Sequence, residues 1–187
     1  MSFKAVLDAC VLVPSPLFDT LLRLAEADLF VPIWSDEILW EVERTLTGDL
    51  GLTPDQAKRR IGQMAQAFPD SLVGDFAELV SQMRNDPKDR HVLAAAVRSG
   101  ARIIVTANLK HFPGDALVPY EIVAVHPDNF LQGLLGADPD TVMDCLREQQ
   151  QAYINPPLTM QELYQALIPT VPYFVLAAES LEGQESY

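Results

Sequence analysis

The stretch NDPKDRHVLAAAVRSGARIIVTANLKHF, residues 85–112, decides the fold. It reads as loop, helix, turn, strand and loop. Asp86 suits an N-cap and Pro87 the first helical position. Asp89 then takes the third helical position, near the positive end of the helix dipole. Val92, Leu93, Ala96 and Val97 recur at helical spacing and form an apolar face. Ser99-Gly100 closes the helix, with Gly100 as the expected left-handed residue. Ile103, Ile104 and Val105 form an unbroken apolar run, as in a parallel strand covered on both faces. Thr106 and Asn108 leave that strand at its carboxyl end, where open α/β sheets place ligand sites.

Working outward, the same alternation recurs on both sides. Upstream, Lys4–Leu7 is a short apolar strand that ends in Asp8. Leu17 to Ala27 has helical spacing, and Leu29 to Ile33 reads as a second strand. Ser35 caps a helix running to about Leu46, with Ile38, Leu39, Val42 and Leu46 as its apolar arc. Glu41 lies on one edge of that arc and Glu43 on the other, so periodicity does not choose between them. Thr53 caps a further helix to about Phe68, which carries Lys58, Arg59 and Arg60. Ser71–Val73 reads as a short strand and Phe76–Met83 as a short helix. Downstream, Glu121–Val125 is a last strand and Pro127–Leu135 a helix. Strands alternating with helices predict an α/β fold, a three-layer α/β/α sandwich on a central parallel sheet. Gly136–Pro139 marks a boundary, giving residues 1–135 as one domain and 136–187 as a C-terminal extension. That extension reads as helices only, over Asp140–Tyr153, Thr159–Ile168 and Tyr173–Leu181.

Composition narrows the class. A hydrophobic share of 49% over 187 residues suffices for a core. No run approaches the roughly 18 apolar residues of a membrane span. The first residues, MSFKAVLDAC, lack a basic start and a long apolar centre, so no signal peptide is expected. Two distant cysteines, Cys10 and Cys145, argue against a disulfide scaffold and fit a cytoplasmic chain. The net charge is −13, and it is unevenly spread. Residues 1–110 hold 12 of the 13 Lys and Arg, whereas residues 111–187 hold 11 of the 26 acids and only Arg147. Nucleic-acid binders usually carry a basic footprint. A polyanion must therefore meet a local patch in the first 110 residues, or one made by metals or a partner.

With strand one central in a parallel sheet, Asp8, Glu41, Asp89 and Asn108 can converge on one edge. Three carboxylates within about 5 Å repel by roughly 3 kcal/mol per pair at an effective dielectric near 20. Such a group persists if protonated or if a cation neutralises it. Oxygen ligands select Mg²⁺ or Mn²⁺ over zinc, and such an ion orients a phosphodiester and activates water. Each residue also has a plainer reading: Asp86 and Asp89 as cap and dipole partner, Glu41 as a solvated helix edge, Thr106 and Asn108 as turn residues. His91 and His111 have no zinc-finger spacing. His126, before Pro127, reads as structural, and Cys10 as a small core residue. No phosphate loop, G-x-G-x-x-G or G-x-S-x-G occurs, which excludes the enzymes built on them.

At these residues the chain resembles a PIN domain, the nuclease domain of VapC-type toxins in toxin–antitoxin pairs. The matching pieces are VLDACVL, SDEILWEVERTL, DPKDRHVLAAAV and IIVTANLKHF, which with the strand–helix order cover roughly residues 3 to 135. The later helices, with NPPLT, resemble the helical extension of one bacterial PIN subgroup. The resemblance implies a Mg²⁺- or Mn²⁺-dependent ribonuclease acting on RNA, with a cognate antitoxin and, among assemblies left open, a homodimer. It assigns Asp8, Glu41 and Asp89 to the first three acidic positions and puts Asn108 where many PIN domains carry a fourth Asp. Asp86 and Thr106 are then supports, and Lys88, Arg90 and Lys110 are RNA contacts. Ala9-Cys10 stands where Ser, Thr or Asn is common. Two rival readings are a PIN module that binds RNA or a protein without cutting, and a response-regulator receiver. The receiver expects paired acids after strand one, where this chain has Asp8 followed by Ala9-Cys10.

Overall fold

The structure, a computed structural model, describes residues 3–185. The chain forms two compact units. The first takes the chain up to Val13 together with Phe30–Val125, and the second takes Pro14–Leu29 together with the chain from His126 onward.

The first unit is an α/β PIN-like sandwich on a four-stranded parallel sheet, in the order β2-β1-β3-β4. The strands are β1 (Lys4–Leu7), β2 (Val31–Ile33), β3 (Ile103–Val105) and β4 (Val123–Val125). Consecutive strand side chains point to opposite faces. Ala5, Val6 and Leu7 all have zero exposure, so β1 is covered on both sides. Around the sheet lie α1 (Ala9–Leu12), α3 (Asp36–Gly48), α4 (Pro54–Ala67), α5 (Ala77–Val80), α6 (Arg90–Ser99) and α7 (Gly114–Leu117). Helix α6 packs on β1 and β3 through Val92, Leu93 and Ala96, all fully buried. Gly100 ends it at φ 72°, the left-handed conformation expected from Ser99-Gly100. Thr53 and Gln56 form a reciprocal capping box on α4. From the same helix, Arg60 donates to the carbonyls of Leu12 and Val13, at 2.6 and 3.1 Å, just where α1 ends.

One expected strand is reduced. Ser71–Val73 contributes only an isolated parallel bridge, Trp34 to Leu72. Shortly after it, Asp75 takes the left-handed conformation at φ 56°.

The second unit is helical: α2 (Ser15–Glu26), α8 (Pro127–Ala137), α9 (Pro139–Ala152), α10 (Met160–Leu167) and α11 (Pro172–Glu185). Helix α8 packs on α9 and α11, and α2 packs on α9 and α10. The compositional boundary at residues 135 and 136 thus falls at the end of a helix whose partners lie beyond it. Thr20, Gln149 and Asp128 are buried here with hydrogen-bond partners. Thr20 donates to Gln149 Oε1 at 2.7 Å, and Gln149 Nε2 donates to the Pro16 carbonyl at 3.0 Å. Asp128 accepts the N–H groups of Tyr173 and Phe174, at 3.2 and 2.7 Å, which makes it the cap of α11. His126 caps α8 by accepting the Asp128 N–H at 3.3 Å, the structural role expected of it.

Candidate active site

Parallel pairing puts the carboxyl ends of β1 and β3 side by side. Leu7 stands opposite Val105, and the Asp8 N–H extends the ladder to the Val105 carbonyl at 3.1 Å. Asp8 and Thr106 are therefore neighbours, although 98 residues separate them. The Thr106 hydroxyl donates to Asp8 Oδ2 at 2.6 Å, a short charge-assisted bond. Cys10 was expected to fill core space. It is instead half-buried, and its thiol donates to Asp8 Oδ2 at 3.3 Å while accepting the Ala107 N–H at 3.3 Å. A thiol thus supplies the polar support that a hydroxyl or amide at this position would give.

Asp8 is 4% exposed. Burial raises its pKa, the bonds from Thr106 and Cys10 oppose this, and the charge of Asp89 raises it further. Burial, followed by the charge of Asp8, pushes the Cys10 thiol up to about 12. It is a neutral hydrogen-bonding group at physiological pH.

Asp89 does not occupy the third position of an α-helix. Pro87–Asp89 form a tighter 3-10 turn, and α6 begins at Arg90. Asp86 caps that turn by accepting the Lys88 N–H at 3.0 Å. The Asn85 amide donates to the Asp89 carbonyl at 3.0 Å, which holds Asp89 at φ −110°, ψ 13° and out of the helix. Its carboxylate makes no capping bond. Instead Asp89 Oδ2 meets His111 Nδ1 at 2.6 Å. The Asp86 N–H donates to the His111 carbonyl at 3.1 Å, so two loops distant in sequence are tied together. Ligand atoms of Asp86, Asp89 and His111 all lie within 4.8 Å of one another.

Glu41 Oε2 lies 3.5 Å from His91 Nε2. Among the described residues Glu43 makes no such contact, so the tertiary structure separates the two glutamates that periodicity left equal. Burial works against the His91 imidazolium, but Glu41 and then the charges of Asp8 and Asp89 raise its pKa overall. Its Nε2 is buried without a hydrogen-bond partner, so the contact with Glu41 is electrostatic. Glu41 touches His91, while the charges of Asp8 and Asp89 act on the same imidazole; neither Asp8 nor Glu41 belongs to the Asp86–Asp89–His111 group. In sequence His91 and His111 stand out only by lying near the candidate site, because no spacing rule links an imidazole to a carboxylate on another element.

Asn108 sits at the same edge, but mainly through its backbone. Its N–H donates to Thr106 Oγ1 at 3.0 Å and its carbonyl accepts the His111 N–H at 2.9 Å. Its side chain is exposed and makes no hydrogen bond among the described residues. Lys88 and Lys110 are exposed and Arg90 is half-buried; none forms an ion pair among the described residues.

A family model for the PIN domain matches residues 4–110, and one for the VapC50 C-terminal domain matches residues 127–179. The chain is 47% identical, over 117 residues, to a Mycobacterium tuberculosis (strain ATCC 25618 / H37Rv) protein named "Putative ribonuclease VapC50". That alignment covers 60% of this chain and 69% of the relative. No solved structure gives a significant match. The PIN match runs from β1 through the Thr106–Lys110 edge, and so spans Asp8, Glu41, Asp86 and Asp89. The chain therefore belongs to the PIN-domain family, as a VapC-type member with a C-terminal helical extension.

Proposed function

We propose that the protein is a Mg²⁺- or Mn²⁺-dependent endoribonuclease that hydrolyses RNA phosphodiester bonds. We further propose that it is the toxin of a type II toxin–antitoxin pair and works in the cytoplasm. The observation that carries this reading is the buried Asp8, whose carboxylate is disfavoured both by desolvation and by the charge of Asp89. A site that holds more negative charge than its surroundings solvate suits a hard cation, and its carboxylate oxygens are the ligand type such ions take. Asp8, Glu41 and Asp89 would hold the ion, with the Asn108 carbonyl in reach of the same edge. When bound, the cation neutralises phosphodiester charge and activates water.

The chain's own groups prepare that site. Thr106 and Cys10 fix the orientation of Asp8, and His111 fixes that of Asp89, as outer hydrogen-bond partners of ligands do. His91, whose pKa Glu41, Asp8 and Asp89 raise against the effect of burial, supplies positive charge beside Glu41 when it is protonated. Lys88, Arg90 and Lys110 offer cations to RNA phosphates on a chain that is otherwise acidic. Trp40, 59% exposed and next to Glu41 on α3, gives an antitoxin apolar surface to bury beside the site. Self-association into a homodimer is compatible with this arrangement.

A second reading, a module that binds RNA or a protein partner without cutting, draws on Asn108, which adds no charge at the fourth position. One experiment separates the two. The wild type is expected to cut single-stranded RNA in Mn²⁺ and to stop when chelator is added, and Asp8→Asn is expected to bind RNA without cutting it. A wild type that binds RNA but leaves it intact at millimolar Mn²⁺ would establish the second reading.

A further inference from the structure

The first unit carries a cleft lined by residues that flank the segment bearing Asp86 and Asp89. It is a cleft of about 700 Å³, within the range of small-molecule sites. Arg84 and Arg90 line it together with Asp115 and Tyr120. Its remaining polar walls are already engaged, because Ser81 Oγ and Gln82 Nε2 both donate to the Glu78 carbonyl. The arginines are not. Neither forms an ion pair or hydrogen bond among the described residues, and Arg90 Nε is buried without a partner. A buried guanidinium N–H without an acceptor is unfavourable unless a ligand supplies one. Two planar forks against one carboxylate leave the cleft net positive, on a chain of net charge −13. Guanidinium groups suit phosphate oxygens, and Tyr120 adds an aromatic wall on which a base can stack.

We propose that this cleft is a nucleotide subsite for single-stranded RNA. Arg84 and Arg90 hold a backbone phosphate that flanks the cleaved linkage, and the attached base lies against Tyr120. The occupant is RNA rather than an acidic protein segment because the cleft and the carboxylates share one short segment. Arg84 and Arg90 bracket Asp86 and Asp89 in the chain, so one short segment carries both the cations of the cleft and two carboxylates of the candidate site, and the net positive cleft suits the polyanion on which those carboxylates would act. This inference rests on the ribonuclease reading for the identity of the strand, and its test is kept separate from cleavage.

Binding of a fluorescein-labelled single-stranded RNA is measured by anisotropy across a salt series, in the Asp8→Asn background so that nothing is cut. Adding Arg84→Ala with Arg90→Ala is expected to weaken binding about tenfold or more. It should also lower the slope of log K against log[salt] by about 0.7, the value for one phosphate contact on a single strand. Arg84 is exposed, so Arg84→Glu serves as a second variant that leaves the core intact. It should give a loss in the same direction. Unchanged affinity and slope in both variants would overturn the subsite, whether or not the wild type cuts RNA, and would leave the cleft to a protein partner's carboxylates. Binding that depends on the arginines in a wild type unable to cut RNA would uphold the subsite and defeat the ribonuclease reading instead.

Discussion

Asp8 concentrates the energetic conflict of the site in one residue. Its pKa is raised above the ordinary Asp value of 3.8, chiefly by burial. Between that value and the raised one, the folded state binds more protons than the unfolded state, so this residue's contribution to stability declines as pH rises through the window. Asp8→Asn removes the charge and keeps an acceptor for Thr106. In the absence of metal we expect a higher melting temperature than wild type at pH 7, by about 2–4 °C for each kcal/mol relieved at this chain length. The difference should shrink as the pH is lowered towards 4, which thermal melts at several pH values will measure. Cys10 illustrates the same burial acting on a different group. With its pKa pushed up to about 12, it holds almost no thiolate at pH 8. Iodoacetamide should label the folded protein at Cys10 at least tenfold more slowly than the unfolded chain, as read by mass spectrometry of the Cys10 peptide. Labelling at equal rates would mean that the thiol is not held against Asp8.

At the scale of elements, the segment before α6 is where local preference and site geometry were in competition. Asp86 and Pro87 start a turn as their types dictate. That turn is 3-10, and the Asn85 amide on the Asp89 carbonyl keeps Asp89 outside the helix. The carboxylate that would otherwise face the helix dipole is thereby left to His111. Asp86 therefore serves both the turn and the site, capping Lys88 through its side chain and joining His111 through its backbone. Replacing it with Ala should cost about 0.5–2 kcal/mol, as loss of a cap does, and should not lower stability further when metal is absent. Chemical denaturation without metal will show the loss as a lower midpoint with unchanged slope. A gain in stability would mean that relief of charge crowding with Asp89 outweighs the cap.

For the molecule as a whole, a cation bound to the folded state alone must raise its stability by mass action. At a free concentration of one hundred times its dissociation constant, the gain is about 2.7 kcal/mol. We expect the wild type to melt at a higher temperature in millimolar Mn²⁺ than in chelator, and Asp8→Asn to lose most of that shift. A wild-type melting curve unchanged by Mn²⁺ would count against any shared site. The uneven charge acts at this scale too. With only Arg147 basic after residue 110, any RNA must be steered by the first 110 residues, and association should weaken steeply with salt.

The sequence by itself determined the elements and their order. Helical spacing at Val92, Leu93 and Ala96 and the apolar runs at Lys4–Leu7 and Ile103–Val105 admit one secondary structure each, because burial of one face or of both imposes the period. It also put Asp8 and Thr106 at strand ends, which in a parallel sheet is enough to say that they share an edge. Tertiary structure decided what local pattern leaves degenerate. Glu41 and Glu43 flank the same apolar arc symmetrically, and only the position of His91 on another helix distinguishes them. Cys10 has the size and polarity of a core residue in sequence; its roles as donor to Asp8 and acceptor from Ala107 exist only once β1 and β3 are in register. Arg84 and Arg90 are six residues apart on a loop and a helix start, and nothing in that spacing says that they meet in one cleft. Periodicity records which face of an element is buried, because that is a property of neighbours in the chain. Partners across the fold are set by sheet register and helix packing, which a local pattern does not encode.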